Sequence, residues 1–140
     1  MGRPYAGGCA CGAIRYEITG EPIVGVDCQC RQCQRESGNG HASHLTFQGA
    51  AVTVSGEAAR WSQFGDGGIE KRRAFCPTCG SPVYMTFPAM PDIFVVRAGS
   101  LDEPGRYRAD IVTWTASAPA WDLVDPAIPK FERMPPRSAE

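Results

Sequence analysis

Seven residues, Asp27-Cys28-Gln29-Cys30-Arg31-Gln32-Cys33, constrain this chain more than any other stretch, because they crowd three thiols into six positions. Zinc takes sulfur ligands tetrahedrally at about 2.3 Å, and one local turn can aim three thiols inward at that distance. Such a turn does not readily supply a fourth ligand. The remaining cysteines form two pairs, Cys9 and Cys11 in Gly8-Cys9-Ala10-Cys11-Gly12, and Cys76 and Cys79 in Phe75-Cys76-Pro77-Thr78-Cys79-Gly80.

The arithmetic favours two zinc ions in sites of different kinds. Cys9, Cys11, Cys76 and Cys79 make a complete set of four, closed and structural, that holds the N-terminus to the middle of the chain. Cys28, Cys30 and Cys33 are then left as a three-thiolate site with an open position, the arrangement that separates catalytic from structural zinc, so they are also the candidate catalytic residues. Two alternatives stay open on spacing alone. One pairs Cys9 and Cys11 with Cys28 and Cys30 and strands Cys33; the other keeps a single four-cysteine site and a spare cluster. A secreted disulfide framework fits less well, because the cysteine count is odd and CxC and CxxC spacings suit a metal.

A chain of 140 residues, 43% apolar, with 16 glycines and 12 prolines, fits one domain with a modest core, expected here at residues 5–132 with a tail at 133–140. A core so interrupted by turn residues gains from a metal cross-link, since binding that requires the folded arrangement adds to folding stability. The formal net charge of -1 gives nucleic-acid binding no support. No stretch approaches the length of a membrane span, and the first residues carry neither a myristoylation signal nor an apolar leader segment. A cytoplasmic protein is the expectation, with pairing of sheet edges into a homo-oligomer left open.

Alternation of apolar and polar residues predicts strands at 13–18, 43–47, 51–54, 82–87, 93–97 and 108–114, and a hairpin from 58–64 and 69–75. A short helical turn fits 31–36, a second short helix 116–121, and an extended tail 126–136. The loop Ser37-Gly38-Asn39-Gly40 lies beside the thiols in sequence and is the expected wall of any pocket there. Lys71-Arg72-Arg73 reads as a solvated strand edge, and Trp114 and Trp121 as core filling in preference to pocket lining. Arg31 and Arg35 read first as solvated, with substrate carboxylates as the alternative, and His41 and His44 as ordinary histidines ahead of a fourth ligand or proton carrier.

The three cysteine groups, in order, together with Gly99-Ser100-Leu101-Asp102, Ala118-Pro119-Ala120-Trp121 and Ile128-Pro129-Lys130-Phe131-Glu132, resemble the glutathione-dependent formaldehyde-activating enzyme family over about residues 5–132. The resemblance implies a mainly β fold, an Mss4-like β-tent of folded antiparallel sheets stabilised by zinc. It also implies a closed site at Cys9, Cys11, Cys76 and Cys79 and an open one at Cys28, Cys30 and Cys33. The implied activity is that of a carbon-sulfur lyase joining formaldehyde to glutathione as S-hydroxymethylglutathione. This chain departs from the family in having Gln29 where a His commonly sits between the first two cysteines of the trio. It also has Gln34 after the third cysteine, Asp110 ahead of the final strand, and extra residues between Asp110 and Trp121.

The expected function is therefore a zinc-dependent enzyme forming or cleaving an adduct between glutathione, or another small thiol, and an aldehyde. A non-catalytic, zinc-stabilised binding or chaperone-like module is the alternative.

Overall fold

In the segment Arg15–Thr19, Tyr16 and Ile18 are buried while Glu17 and Thr19 face solvent, so this strand has one wet face and one that must be covered. Similar short segments recur along the chain. The computed structural model describes residues 2–65 and 67–135. Among these the strands are β1 (Tyr5–Gly8), β2 (Arg15–Thr19), β3 (Val24–Cys28), β4 (Ala42–Gln48), β5 (Ala51–Ser55), β6 (Ala59–Phe64), β7 (Glu70–Phe75), β8 (Pro82–Thr86), β9 (Ile93–Arg97) and β10 (Ile111–Thr113). One α-helix, α1 (Arg31–Ser37), lies between β3 and β4.

The strands form a three-stranded sheet, β1-β2-β5, and a seven-stranded sheet, β10-β3-β4-β9-β8-β7-β6. Every pairing is antiparallel except β10 with β3. One apolar cluster joins the sheets. Tyr5, Tyr16 and Ile18 come from the small sheet, and Leu45, Phe47, Val83, Tyr84, Phe94 and Val96 from the large one. Tyr5 meets Phe47 edge-on at 5.2 Å and Tyr84 stacks on Phe94 at 5.0 Å, geometries that aromatic quadrupoles favour.

Helix α1 is too short to persist alone. Cys30 caps its start, accepting at Sγ from the Cys33 N–H at 3.3 Å, and Gly38 closes it in the left-handed region at φ 71°. Cys33 and Gln34 are its buried residues. At the end of β7 the register with β8 shifts between Ala74 and Phe75, just before the Cys76 loop.

Several sequence expectations change here. The strand expected at 108–114 shortens to β10 and runs parallel to β3, a pairing that alternation alone cannot reveal. In place of a helix at 116–121 there is a 3-10 turn at Thr115–Ser117, entered through Trp114 at φ 61°. Trp121 is 66% exposed and fills no core. The strand bearing Lys71-Arg72-Arg73 is interior to the sheet because β6 covers its outer side, and Arg73 is buried. The chain beyond Pro126 returns alongside β10, with the Phe131 N–H donating to Val112 O at 2.9 Å. Of the tail expected at 133–140, residues 136–140 lie outside the described residues.

Candidate metal centres

Two sets of thiols come together, each with its sulfurs within 4.8 Å of one another. Cys9 and Cys11 follow β1 of the small sheet, and Cys76 and Cys79 follow β7 of the large one, so the four-sulfur set ties the two sheets to each other. Cys11 Sγ is 3.7 Å from both Cys9 Sγ and Cys76 Sγ. A tetrahedron with metal–sulfur bonds of about 2.3 Å has edges of about 3.8 Å, so the spacing fits zinc. Backbone donors already point at the sulfurs. Ile14 N–H lies 3.2 Å from Cys9 Sγ and Thr78 N–H 3.3 Å from Cys76 Sγ, a geometry that favours thiolates. Gly80, at φ 79°, supplies the left-handed step that ends the Cys76 turn. The Ser81 hydroxyl, 3.2 Å away, and then backbone N–H groups bring the Cys79 thiol down to about 5.

The three-sulfur set is built locally. Cys28 ends β3, Cys30 caps α1, and Cys33 lies in its first turn. The β10 pairing places Thr113 opposite Cys28, and the Gln29 N–H donates to Thr113 O at 2.9 Å, so the end of β3 is held from both sides. Hydrogen bonds from Cys28 and Cys33, followed by the Cys33 backbone N–H and the charge of Arg73, hold the Cys30 thiol far below its ordinary value. Among the described residues, two buried side-chain atoms have no partner, Gln29 Oε1 and Thr113 Oγ1. The Thr113 hydroxyl is suited to donate to a Cys28 thiolate, which fits a metal-loaded trio.

A layer of charge surrounds these thiols. Glu36 accepts from Arg73 at 2.6 Å and also pairs with Arg97, and the side chains of all three are largely buried. Arg97 in turn donates to His44 Nδ1 at 2.9 Å, and His44 Nε2 lies 3.5 Å from Cys33 Sγ. Burial, aided by the charges of Arg73 and Lys71, lowers the His44 imidazole to about 3, so it is neutral at pH 7. The same Arg97 nitrogen lies 3.0 Å from Nε2, so the neutral ring is wedged between the guanidinium and the Cys33 sulfur. Two guanidiniums against one carboxylate leave a single positive charge. That would offset the formal negative charge that three thiolates on a divalent ion would carry.

Cys28, Cys30 and Cys33 line a pocket of about 690 Å³ that also reaches Lys71, Arg73 and Trp114. The loop expected as its wall lies elsewhere. Ser37 and Asn39 line a second, polar cleft of about 580 Å³ with Cys9, Arg15 and Asp102, because α1 turns the chain away from the trio.

The family-variant positions are accounted for locally. Gln29 is 1% exposed and donates to Asp122 Oδ2 at 2.9 Å, while His41 Nδ1 lies 2.9 Å from the same oxygen. Gly40 makes this possible, since a Cβ there would come within 2.3 Å of Asp122 Cβ. Gln34 donates to Gln29 O and Ser117 O. Asp110 is occupied with the Gly25 N–H at 2.8 Å. His41 is thus held by Asp122, whereas His44 contacts the thiols; Arg31 pairs with Gln34, and Arg35 is exposed. Sequence reading missed Glu36, Arg97, Thr113 and Asp122. The only hint was a charged residue, Arg73, on a strand running into a cysteine turn.

Comparison with known proteins agrees with this architecture. No curated protein matches the chain. The crystal structure of a Rhodobacter sphaeroides protein is similar at 25% identity and a TM-score of 0.53, over 69% of this chain and 87% of that one. The family described as glutathione-dependent formaldehyde-activating enzyme matches residues 4–117, which contain all seven cysteines. With that match over most of its length and a mainly β fold of antiparallel sheets bearing two metal-competent thiol clusters, the chain belongs to the glutathione-dependent formaldehyde-activating enzyme family.

Proposed function

We propose that this protein is a zinc-dependent carbon-sulfur lyase-type enzyme that forms or cleaves an adduct between a small thiol such as glutathione and an aldehyde such as formaldehyde. The observation that carries this reading is the contrast in completeness: four sulfurs gather at one site, while the three-sulfur site faces a pocket. In the proposal Cys9, Cys11, Cys76 and Cys79 hold a structural ion, and Cys28, Cys30 and Cys33 hold the working one. Zinc at the trio would stabilise a substrate sulfur as thiolate in the position the protein leaves free.

The chain's own groups position and balance the site. Cys28, Cys30 and Cys33 fix where the substrate sulfur sits, the His44 imidazole and the Thr113 hydroxyl orient the protein sulfurs, and Arg73 and Arg97 offset their charge. Gln29 cannot shuttle a proton as the family's usual His can. Its amide, bound by Asp122, is a fixed positioning group.

The uncatalysed addition is reversible in water, so product alone is uninformative. The test is exchange between glutathione and formaldehyde, followed by two-dimensional NMR with zinc-loaded protein, with Cys30→Ala, and without protein. Faster exchange with the wild type alone is the expected result. Equal rates in all three at saturating thiol would reject the activity, and the binding-module reading would then take its place.

A further inference from the structure

Glutathione is polar along its whole length, and formaldehyde adds one carbon, so their adduct has little use for an apolar wall. Yet the pocket beside the trio is lined by Phe64, Ile69, Met85, Phe87, Met90 and Met134. Its volume, about 690 Å³, falls in the range of sites that enclose drug-sized ligands. Phe64 is 65% exposed and Met134 60% exposed, which leaves apolar area that a bound group would remove from water. Three of the chain's four methionines line this pocket, and thioether side chains adapt to apolar groups of differing shape.

Apart from the thiols, the charged side chains among the described lining residues are all cationic. Lys71, Arg73 and Arg133 reach the pocket, and no acidic side chain does among the described lining residues. Arg73 is taken up by Glu36 and Gln63. Lys71 makes no ion pair among the described residues, and Arg133 rests over the Trp114 ring at 5.6 Å. Both are placed to meet carboxylates. Arg133 and Met134 also lie beyond residue 117, where the family match ends, so this part of the wall comes from outside the matched region.

We propose that the pocket selects hemithioacetals in which a carboxylate-bearing small thiol is joined to a large apolar aldehyde, a phenyl or medium aliphatic chain. The proposal rests on the thiol–aldehyde reading of the trio and narrows its substrate. The sulfur lies at Cys28, Cys30 and Cys33, the carboxylates at Lys71 and Arg133, and the apolar group against Phe64 and the methionines. Addition forms one carbon–sulfur bond as the carbonyl π bond opens, and the thiol proton ends on the former carbonyl oxygen; cleavage reverses both changes, and nothing is oxidised or reduced.

The test uses the zinc-loaded full chain and two unreactive thioethers, S-hexylglutathione and S-methylglutathione, titrated by calorimetry. S-hexylglutathione is expected to bind at least tenfold more tightly. The double variant Phe64→Ser, Met134→Ser should shrink that ratio at least threefold, and its exposed positions keep the core intact. Lys71→Met should weaken both ligands together. Equal affinities, or a ratio that survives in the double variant, would overturn the proposal. A parallel arm compares NMR exchange of glutathione with phenylacetaldehyde and with formaldehyde, each relative to its own uncatalysed rate. Greater acceleration of phenylacetaldehyde supports the proposal. Preference for formaldehyde overturns it while leaving the reaction intact, and acceleration of neither rejects the reaction, with the thioether ratio then deciding the ligand class alone.

Discussion

The two thiol clusters contain the same chemical group and are built in opposite ways. The four-sulfur cluster draws its members from residues 9–11 and 76–79, on loops leaving two different sheets, and is oriented mainly by backbone N–H groups. Cys11 and Cys79 remain exposed. The three-sulfur cluster spans residues 28–33, is more enclosed, and is surrounded by side chains drawn from across the large sheet. One cluster organises the chain around itself, whereas the other is organised by the chain. Under the proposed function the contrast has a reason: a metal site that holds a fold together can have a plain surrounding, while a site prepared for chemistry needs its charge and access set by residues that are not ligands.

The largest effect should come from breaking the first cluster. Structural zinc contributes about 10–16 kcal/mol in small zinc domains, comparable to or larger than the roughly 5–15 kcal/mol of net stability in a typical domain. Cys76→Ala is therefore expected to lose one zinc and the cooperative melting transition together. Unchanged metal content and melting temperature would erase the distinction between the clusters.

Cys30→Ala should do less. It is expected to lose the other zinc while keeping a cooperative transition, because the sheets remain joined through Cys9, Cys11, Cys76 and Cys79. Metal analysis with calorimetry reads both properties, and unfolding as complete as that of Cys76→Ala would break the comparison.

Next in size is Glu36→Gln, which leaves Arg73 and Arg97 buried without their shared counter-charge. Removing one partner of a buried ion pair costs about 3–5 kcal/mol, and the retained amide should hold the loss near 3 kcal/mol or below. Urea denaturation measures it; a change within about 0.5 kcal/mol, the usual surface range, would mean that the charge layer is not a unit.

The smallest effect concerns pH. Arg15, bonding both oxygens of Asp102 at 2.9 and 2.5 Å, holds that carboxyl below its ordinary value of 3.8. A depressed carboxyl stabilises fully above its unfolded value, and the contribution drains away only as pH falls through the folded one. The pair is exposed, so Asp102→Asn should cost no more than about 1 kcal/mol. Its melting-temperature deficit should be constant from pH 8 to 5, whereas zinc content falls over part of that range as protons compete for thiolates. A deficit that shrinks between pH 8 and 5 would show that the polar cleft is coupled to the metal sites.

Much of this architecture was legible because its signals are local. CxC and CxxC spacings mark candidate ligands, and alternation such as Tyr16-Glu17-Ile18 marks a strand with its inner face. The trio's surroundings were not legible, because each contact joins distant positions: Glu36 to Arg73, His44 to Arg97, Gln29 to Asp122. Lys71-Arg72-Arg73 shows the difficulty within three residues. Its middle member is exposed and its last is buried, and only the neighbouring strands decide that. The parallel β3–β10 pairing is illegible for the same reason, since a three-residue strand leaves almost no periodic signal.

That parallel pairing also has a consequence for the order in which the molecule can be completed during synthesis. The four-sulfur cluster has all its thiols once residue 79 has emerged, and the trio has its own once residue 33 has. The neighbour of β3 arrives only with residues 111–113, and the chain that covers β10 only with residues 129–131. Until then the thiol-bearing strand is an open sheet edge, free to pair with the wrong partner. The nascent chain therefore passes through a stage at which it can bind metal at the trio before the end of β3 beside it is covered.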